Sequence, residues 1–267
     1  MSKRDISLQD KLAYYLLKSM NKAIHDYGMI ADGDRIAVAV SGGKDSLTLL
    51  HLLRLRQQSV PEKYETVAVH IVMGKTDGAA CTEADGRDAL AAYLRSAGQA
   101  HAFELVEVAD QPDCFRCSHL RRQALFRAAR RLGCNKLAMG HHADDAAETT
   151  LLNLIFHGRV ETLYPKRSFF AGQFTLIRPL IYVPEKRIAR LAQLCALPVL
   201  SAPCPNSTVS RRQWAKDLLH AMEREYPKVK INLFRAGLRS CPPDRVEQPN
   251  NEHADRLREE VHERDND

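Results

Sequence analysis

Apolar residues along this chain follow two rhythms, and the switches between them mark its elements. Ile36 to Val40 is a short run of β-branched and small apolar residues, as expected of a strand buried on both faces of a parallel sheet. Immediately after Ser41-Gly42-Gly43-Lys44-Asp45-Ser46 the spacing turns helical, through Leu47, Leu49, Leu50, Leu53 and Leu55. Upstream, Ser7-Leu-Gln-Asp10 reads as a helix start, and Leu12, Leu16, Met20, Ala23 and Ile24 continue at helical spacing. That predicts an N-terminal helix packed against the sheet. Downstream, strands are predicted at Thr66–Val72, Ala102–Val108, Lys136–Met139 and Ile177–Leu180. Helices are predicted at Asp85–Ser96, Ser118–Arg131 with Ser118 as cap, Thr149–Phe156 capped by Asp144 or Asp145, and Thr208–Glu225. A further helix follows Val183, with Pro184 near its first turn, and Gly158–Gly172 reads as a loop. Strands alternating with helices predict an α/β fold: a doubly wound, mostly parallel sheet of about five strands with helices on both faces. The expected units are an N-terminal helix (1–30), a nucleotide-binding body (31–225) and an acidic, disordered tail (242–267).

The chemistry starts where the first strand ends. Strand, Gly-rich turn and helix start together form a phosphate cradle. Gly42 and Gly43 let the backbone turn tightly and approach a ligand, and unpaired N–H groups at a helix N-terminus favour an anion. Lys44 adds a positive charge, and Ser41 and Ser46 add hydroxyl donors. An ordinary βα turn is the bland alternative, weakened by having both serines, Lys44 and Asp45 in place. Neither GxxxxGK[ST] nor GxGxxG is present. The fourth strand runs into Gly140-His141-His142-Ala143-Asp144-Asp145, which the topology puts on the same sheet edge. Asp45, Asp144 or Asp145 offers hard oxygens for Mg²⁺ bridging phosphates, Asp45 and Asp145 being the pair favoured. Met73-Gly74-Lys75 would edge the nucleotide pocket. His70, inside an apolar strand, reads as a core residue and Trp214 as packing.

The net charge of +6 hides an asymmetry. Nine acidic and four basic side chains from Pro242 to Asp267 leave about +11 on the rest. The helix with Arg116, Arg121, Arg122, Arg127, Arg130 and Arg131 reads either as a solvated basic face or as a seat for nucleic-acid phosphates. No apolar run is long enough to span a membrane and no signal peptide is evident, so the expected location is cytoplasmic. In a reducing compartment the odd count of seven cysteines speaks against a disulfide framework. Cys114 and Cys117 form a CxxC, open between a zinc half-site, a redox pair and an iron–sulfur half-site. No second CxxC exists to complete a structural zinc site. Cys204 follows the fifth strand and can reach the same edge, and three thiolates would leave one iron of a cluster open. Cys81, Cys134, Cys195 and Cys241 look incidental.

SGGKDS at 41–46 resembles the loop of the PP-loop ATP pyrophosphatases, which cleave ATP between the α- and β-phosphates and adenylylate a substrate. With the CxxC before an Arg-rich helix, GHHxDD, IRPL…PEK and Pro203-Cys204 in that order, the chain resembles the tRNA 2-thiocytidine synthetase (TtcA) family over roughly Asp10 to Leu219. The resemblance implies thiolation of an anticodon-loop cytidine of tRNA, with ATP as activator and a [4Fe–4S] cluster held by Cys114, Cys117 and Cys204. It implies Lys44, Asp45, Cys114, Cys117 and Cys204 as catalytic groups. It places nucleotide binding at Ser41, Gly42, Gly43, Lys44, Asp45, Ser46, Gly140, His141, Asp144 and Asp145. A sulfur donor such as a cysteine desulfurase is an implied partner, and a homodimer would help a small basic body span a tRNA. Two departures stand out. Family members often read PCxxC where this chain has Ser207, and Gly74–Gly98 matches poorly. A lysidine synthetase would have no use for the cysteines, and a wobble-uridine thiolase usually carries extra cysteine pairs. A non-enzymatic sensor of ATP and a cluster would bind without turnover.

Overall fold

The computed structural model describes residues 7–75, 84–108, 114–200 and 211–241. Their strands are β1 (Arg35–Ala39), β2 (Glu65–Lys75), β3 (His101–Val108), β4 (Lys136–Ala138), β5 (Lys166–Phe169) and β6 (Phe174–Ile177). Their helices are α1 (Leu8–Asp26), α2 (Lys44–Gln57), α3 (Ala84–Ser96), α4 (Cys114–Arg131), α5 (Ala143–His157), α6 (Glu185–Leu194), α7 (Arg211–Glu225) and α8 (Val229–Arg239). The strands form one sheet in the order β3-β2-β1-β4-β6-β5. All pairings are parallel except β5 with β6. The chain builds outward from β1 to β2 and β3, then returns to the other side of β1 to lay down β4. Neighbouring loops therefore leave in opposite directions between β1 and β4, and a crevice opens at their C-terminal ends.

The period-2 alternation of the strands sorts their side chains into two cores. Ile36, Val38, Val40, Ala68, Ala138 and Ile177 face one layer, with α2, α3 and α6 packed on it. Ala37, Val67, Val69, Leu137 and Leu176 face the other, where Ala124, Leu125, Ala128 and Ala129 of α4 cover them. The apolar stripe of α1 (Leu16, Met20, Ala23, Ile24) joins the first core, but α1 packs on α2 and α6 rather than on the sheet. A smaller cluster of Ala147, Leu151, Ala215 and Leu219 holds α7 and α8 to α5.

Several local expectations shift. The sheet has six strands, because Lys166–Phe169 inside the expected loop forms the antiparallel β5. The strand expected at Ile177–Leu180 is instead β6, the fully buried Phe174–Ile177 that follows β5. Pro179 has no N–H for a ladder, and the chain turns there through Ile181 N–H to Arg178 O and Val183 N–H to Leu180 O. Helix α4 starts at Cys114, four residues before Ser118, so the CxxC occupies its first turn. The N-cap of α5 is His142, not an aspartate. Helix α7 is described from Arg211, leaving Thr208–Ser210 outside the described residues, as is the tail from Pro242. Helix α8 had no sequence forecast. The Ser7 cap does form, its hydroxyl accepting the Asp10 N–H at 3.1 Å.

Candidate active site at the crevice between β1 and β4

The loop between β1 and α2 is braced from within. Ser46 Oγ accepts the Ser41 N–H at 3.1 Å and donates to the Gly43 carbonyl at 2.9 Å, while Gly43 N–H reaches Ser41 Oγ at 3.3 Å. Gly42 has φ +84°, a conformation costly for residues with a Cβ. A Cβ there would also lie 2.5 Å from Leu200 Cδ1. Gly43 is the N-cap of α2 and no side chain caps that helix, so its first N–H groups point at the crevice with a partial positive charge. His70 steadies the loop's entry. Its Nδ1 lies 2.7 Å from the Val40 carbonyl, which can only accept, so Nδ1 carries the proton. Burial holds the His70 pKa below its usual value. His70 is thus the core residue expected of it.

The Gly140–Asp145 segment abuts this loop directly. A Cβ on Gly140 would fall 3.0 Å from both Asp45 C and Ser46 N, so glycine is what lets the two backbones meet. Beyond it, His142 and Asp145 form a capping box: His142 Nδ1 accepts the Asp145 N–H and Asp145 Oδ2 accepts the His142 N–H at 2.9 Å. That leaves His142 Nε2 protonated and facing Asp45 Oδ1 at 3.7 Å, beyond hydrogen-bond range. Asp45 Oδ1 is buried without a partner among the described residues. A carboxylate oxygen left this way suits a cation. Both Asp145 oxygens, by contrast, are already engaged, with Arg212 2.5 Å from Oδ1. His141 accepts from Arg178 Nε at 3.1 Å, and Arg178 also donates to the Tyr164 carbonyl. Burial, reinforced by Arg178, pushes the His141 pKa down to about 3, which makes it a neutral acceptor and a weak base.

Three cations arrive from helices that the sequence did not tie to the site. Glu185, at the start of α6, receives Lys44 Nζ at 2.9 Å and Lys216 Nζ of α7 at 3.0 Å. Burial works to raise the Glu185 pKa, but the two lysines outweigh it and take it down to about 2. Lys44 in turn is held above its usual pKa, the pull of Glu185 and Asp45 exceeding the effect of burial. Arg212 of α7 also reaches Glu148 at 3.3 Å, and Lys230 of α8 lies 3.3 Å from Asp144 Oδ1. Asp144 Oδ2 accepts the Glu185 N–H at 2.7 Å. The available signal was the four-residue spacing of Arg212 and Lys216, which puts both on one helix face.

Of the expected site residues, Ser41, Gly42, Gly43, Lys44, Asp45, Ser46, Gly140, His141, Asp144 and Asp145 lie together along this crevice. Cys114 and Cys117 stand three residues apart in the first turn of α4, where Cys117 is half-buried against the second core. The side chain of Cys114 lies outside the described residues, as do Cys204, Ser207 and Cys81. The chain is described up to Leu200, whose N–H donates to the Gly42 carbonyl at 3.0 Å, four residues before Cys204. Among the described residues no three His, Cys, Asp or Glu side chains gather to hold a metal. Cys134 and Cys195 have thiol pKa values raised by burial, in keeping with packing roles.

Residues 11–201 match the PP-loop domain family, and with the cradle and crevice they make this chain a PP-loop ATP-binding protein. A tRNA-cytidine(32) 2-sulfurtransferase of Geobacter sulfurreducens is 42% identical over 239 residues, covering 85% of this chain and 90% of that protein. Another from Geotalea uraniireducens is 39% identical over 240 residues, covering 86% and 92%. This chain belongs to the tRNA-cytidine(32) 2-sulfurtransferase family. The U34-tRNA thiolase NcsA from Methanococcus maripaludis, solved with its [4Fe-4S] cluster, has the same fold at a TM-score of 0.68 and 23% identity. It covers 86% of this chain and 78% of its own. No helix among the described residues is long and apolar enough to cross a membrane.

Proposed function

We propose that this chain is an ATP-dependent tRNA sulfurtransferase that replaces the C2 oxygen of cytidine 32 with sulfur. The observation that carries the reading is the packing of Gly140 on the Asp45–Ser46 backbone. It joins the uncapped, glycine-lined start of α2 to the His142–Asp145 edge in a chain of this family.

The residues divide the work by position. The N–H groups at the start of α2 and the Ser41 and Ser46 hydroxyls take the phosphates of ATP. Lys44 neutralises the charge that grows on the departing pyrophosphate, with Lys216 behind it across Glu185. Cytosine O2 bonds to the α-phosphorus as the α–β phosphoanhydride breaks, so pyrophosphate leaves with the bridging oxygen. A sulfide sulfur then bonds to C2, and O2 departs with AMP. Asp45 Oδ1, a hard oxygen with no hydrogen-bond partner, would help hold a Mg²⁺, which when bound would offset phosphate charge. Asp144 and Asp145 act through Lys230, Glu185 and Arg212, holding the crevice's shape rather than ligating metal. Cys114, Cys117 and Cys204 are the donor set for a [4Fe–4S] cluster, which when bound supplies an iron able to carry sulfur. Three thiolates suffice for that, so Ser207 in place of a further cysteine is compatible with the reading. The body at 31–225 is the catalytic unit and 242–267 an acidic tail. The basic face of α4 (exposed Arg121, Arg122, Arg127 and Arg130) seats tRNA phosphates. A cysteine desulfurase type of donor supplies sulfur, and the protein works in the cytoplasm, as a homodimer where a tRNA outspans one body.

The test is reconstitution of the anaerobically purified protein with iron and sulfide, followed by incubation with ATP, Mg²⁺ and unmodified tRNA. Digestion and mass spectrometry should find 2-thiocytidine and equimolar pyrophosphate, both lost in Lys44→Met. Pyrophosphate without thiolated base from a cluster-loaded protein would sink the sulfur-transfer reading and leave an adenylylating enzyme.

A further inference from the structure

Outside the crevice, the outer surface of α5 and α7 carries an aromatic pair that no part of the mechanism uses. Phe156 and Trp214 meet edge to face with centroids 5.9 Å apart, and Arg211 lies 4.8 Å over the Phe156 ring. Both rings are well exposed, Phe156 at 44% and Trp214 at 46%, so Trp214 is not the packing residue its sequence context suggested. Exposed His157 and Arg159 follow at the end of α5. Two exposed aromatics, with an arginine over the Phe156 ring, form a platform for a flat, electron-rich partner. Their surroundings are cationic, on a body bearing about +11 outside the acidic 242–267 stretch.

The same helices connect the platform to the crevice. Arg212 of α7 points inward to Asp145 and Glu148, while Arg211 and Trp214 on the same turn point outward to Phe156. From Asp145 to Phe156 the path along α5 is about 16 Å. Single-stranded RNA is recognised by unpaired bases stacked on aromatic rings and arginine planes, with cations nearby for the phosphates.

We propose that Phe156, Trp214 and Arg211 form a stacking platform for an unpaired base of the tRNA anticodon loop, lying to one side of the base that enters the crevice. The proposal rests on tRNA as the substrate and adds where a second loop base is held. Trp214 is the only tryptophan in the chain, so its emission reports on the platform directly. The experiment titrates the full-length protein with an anticodon stem–loop RNA and with a fully paired duplex of equal charge, following Trp214 emission, acrylamide shielding and RNA anisotropy together. The stem–loop should quench and shield Trp214, and the duplex should do neither. Trp214→Ala should weaken stem–loop binding on the order of ten- to a hundred-fold, with Trp214→Phe restoring most of it. Stem–loop binding seen by anisotropy without any change in Trp214 would overturn the platform, as would equal quenching by the duplex. Shielding that grows with protein concentration alone, alongside a doubled mass by light scattering, would assign the patch to a second copy and also overturn it. The failures separate cleanly: quenching by stem–loop with no 2-thiocytidine formed from tRNA refutes the proposed activity and leaves the platform standing.

Discussion

Gly140 offers the sharpest test of how the crevice is assembled, because its replacement by alanine presses backbone on backbone. The added Cβ would lie 3.0 Å from Asp45 C and Ser46 N and 3.1 Å from Asp45 O. Favourable carbon contacts sit at about 3.5–4.0 Å, so one of the two segments must retreat by at least several tenths of an ångström. No flexible side chain is present to absorb it. Overpacking of this kind costs about 1–3 kcal/mol of stability, which leaves most of the protein folded. The larger effect should fall on turnover, since a displacement approaching 1 Å in reacting groups costs on the order of 100-fold. The assay is ATP-dependent pyrophosphate release in the presence of tRNA, with urea unfolding alongside. Gly86→Ala serves as the control. Its Cβ would meet only Leu200 side-chain atoms at 3.4 Å or beyond, in a helix where alanine is favoured by about 1 kcal/mol. Gly140→Ala with wild-type turnover and an unchanged KM for ATP would refute the claim that this contact sets the phosphate loop's position.

Gly237→Ala should destabilise without first touching chemistry, because its Cβ would fall 2.2 Å from Thr150 Oγ1 and 2.7 Å from Thr162 Cβ where α8 crosses α5. A loss of about 2 kcal/mol or more in urea unfolding is expected, and an unchanged midpoint would rule the packing out. Glu185→Gln should be less stable than wild type at neutral pH by about 1–2 kcal/mol, allowing for solvent screening of a half-buried group. A carboxylate with a depressed folded pKa stabilises above its unfolded value near 4.5 and loses that contribution as pH falls towards about 2. The gap between variant and wild type should therefore close over that window, and a constant gap in urea midpoints would contradict the two-lysine clamp. Cys117→Ser, measured by iron and sulfide content after anaerobic reconstitution, should lose the cluster while retaining ATP binding. Full iron occupancy would remove Cys117 from the donor set.

What could be read from the residues was whatever the chain encodes locally. β1, the glycine turn and the start of α2 lie within a dozen residues, and strand period, turn chemistry and helix period all agree there. The parallel order followed from alternation, and the pairing of loop and GHHADD edge followed from topology. The cap of α5 was misassigned because Asp is the stronger cap former in isolation, whereas His142 takes the role with Asp145 answering it three residues on. β5 was missed because Lys166 and Arg167 disguise an edge strand, where charged residues are tolerated. Least legible were Lys216, Arg212 and Lys230. Nothing local marks a lysine of α7 as the partner of Glu185 in α6 or as a neighbour of Lys44 in α2, since the contact exists only after three helices have packed.

Those late-arriving cations bear on how far this architecture can be treated as a module. The PP-loop family match ends at residue 201, yet Asp144, Asp145, Glu148 and Glu185 inside it draw counter-charges from Lys230, Arg212 and Lys216 outside it. A fragment cut at that boundary would keep four carboxylates crowded at one sheet edge with much of their compensation gone. These pairs are partly exposed, so removing a cation from one costs less than the roughly 3–5 kcal/mol of a fully buried pair, but several losses at one edge add to a large share of any domain's stability. The unit that folds, and that any transplant or truncation must respect, is drawn by charge neutrality rather than by the limits of sequence similarity.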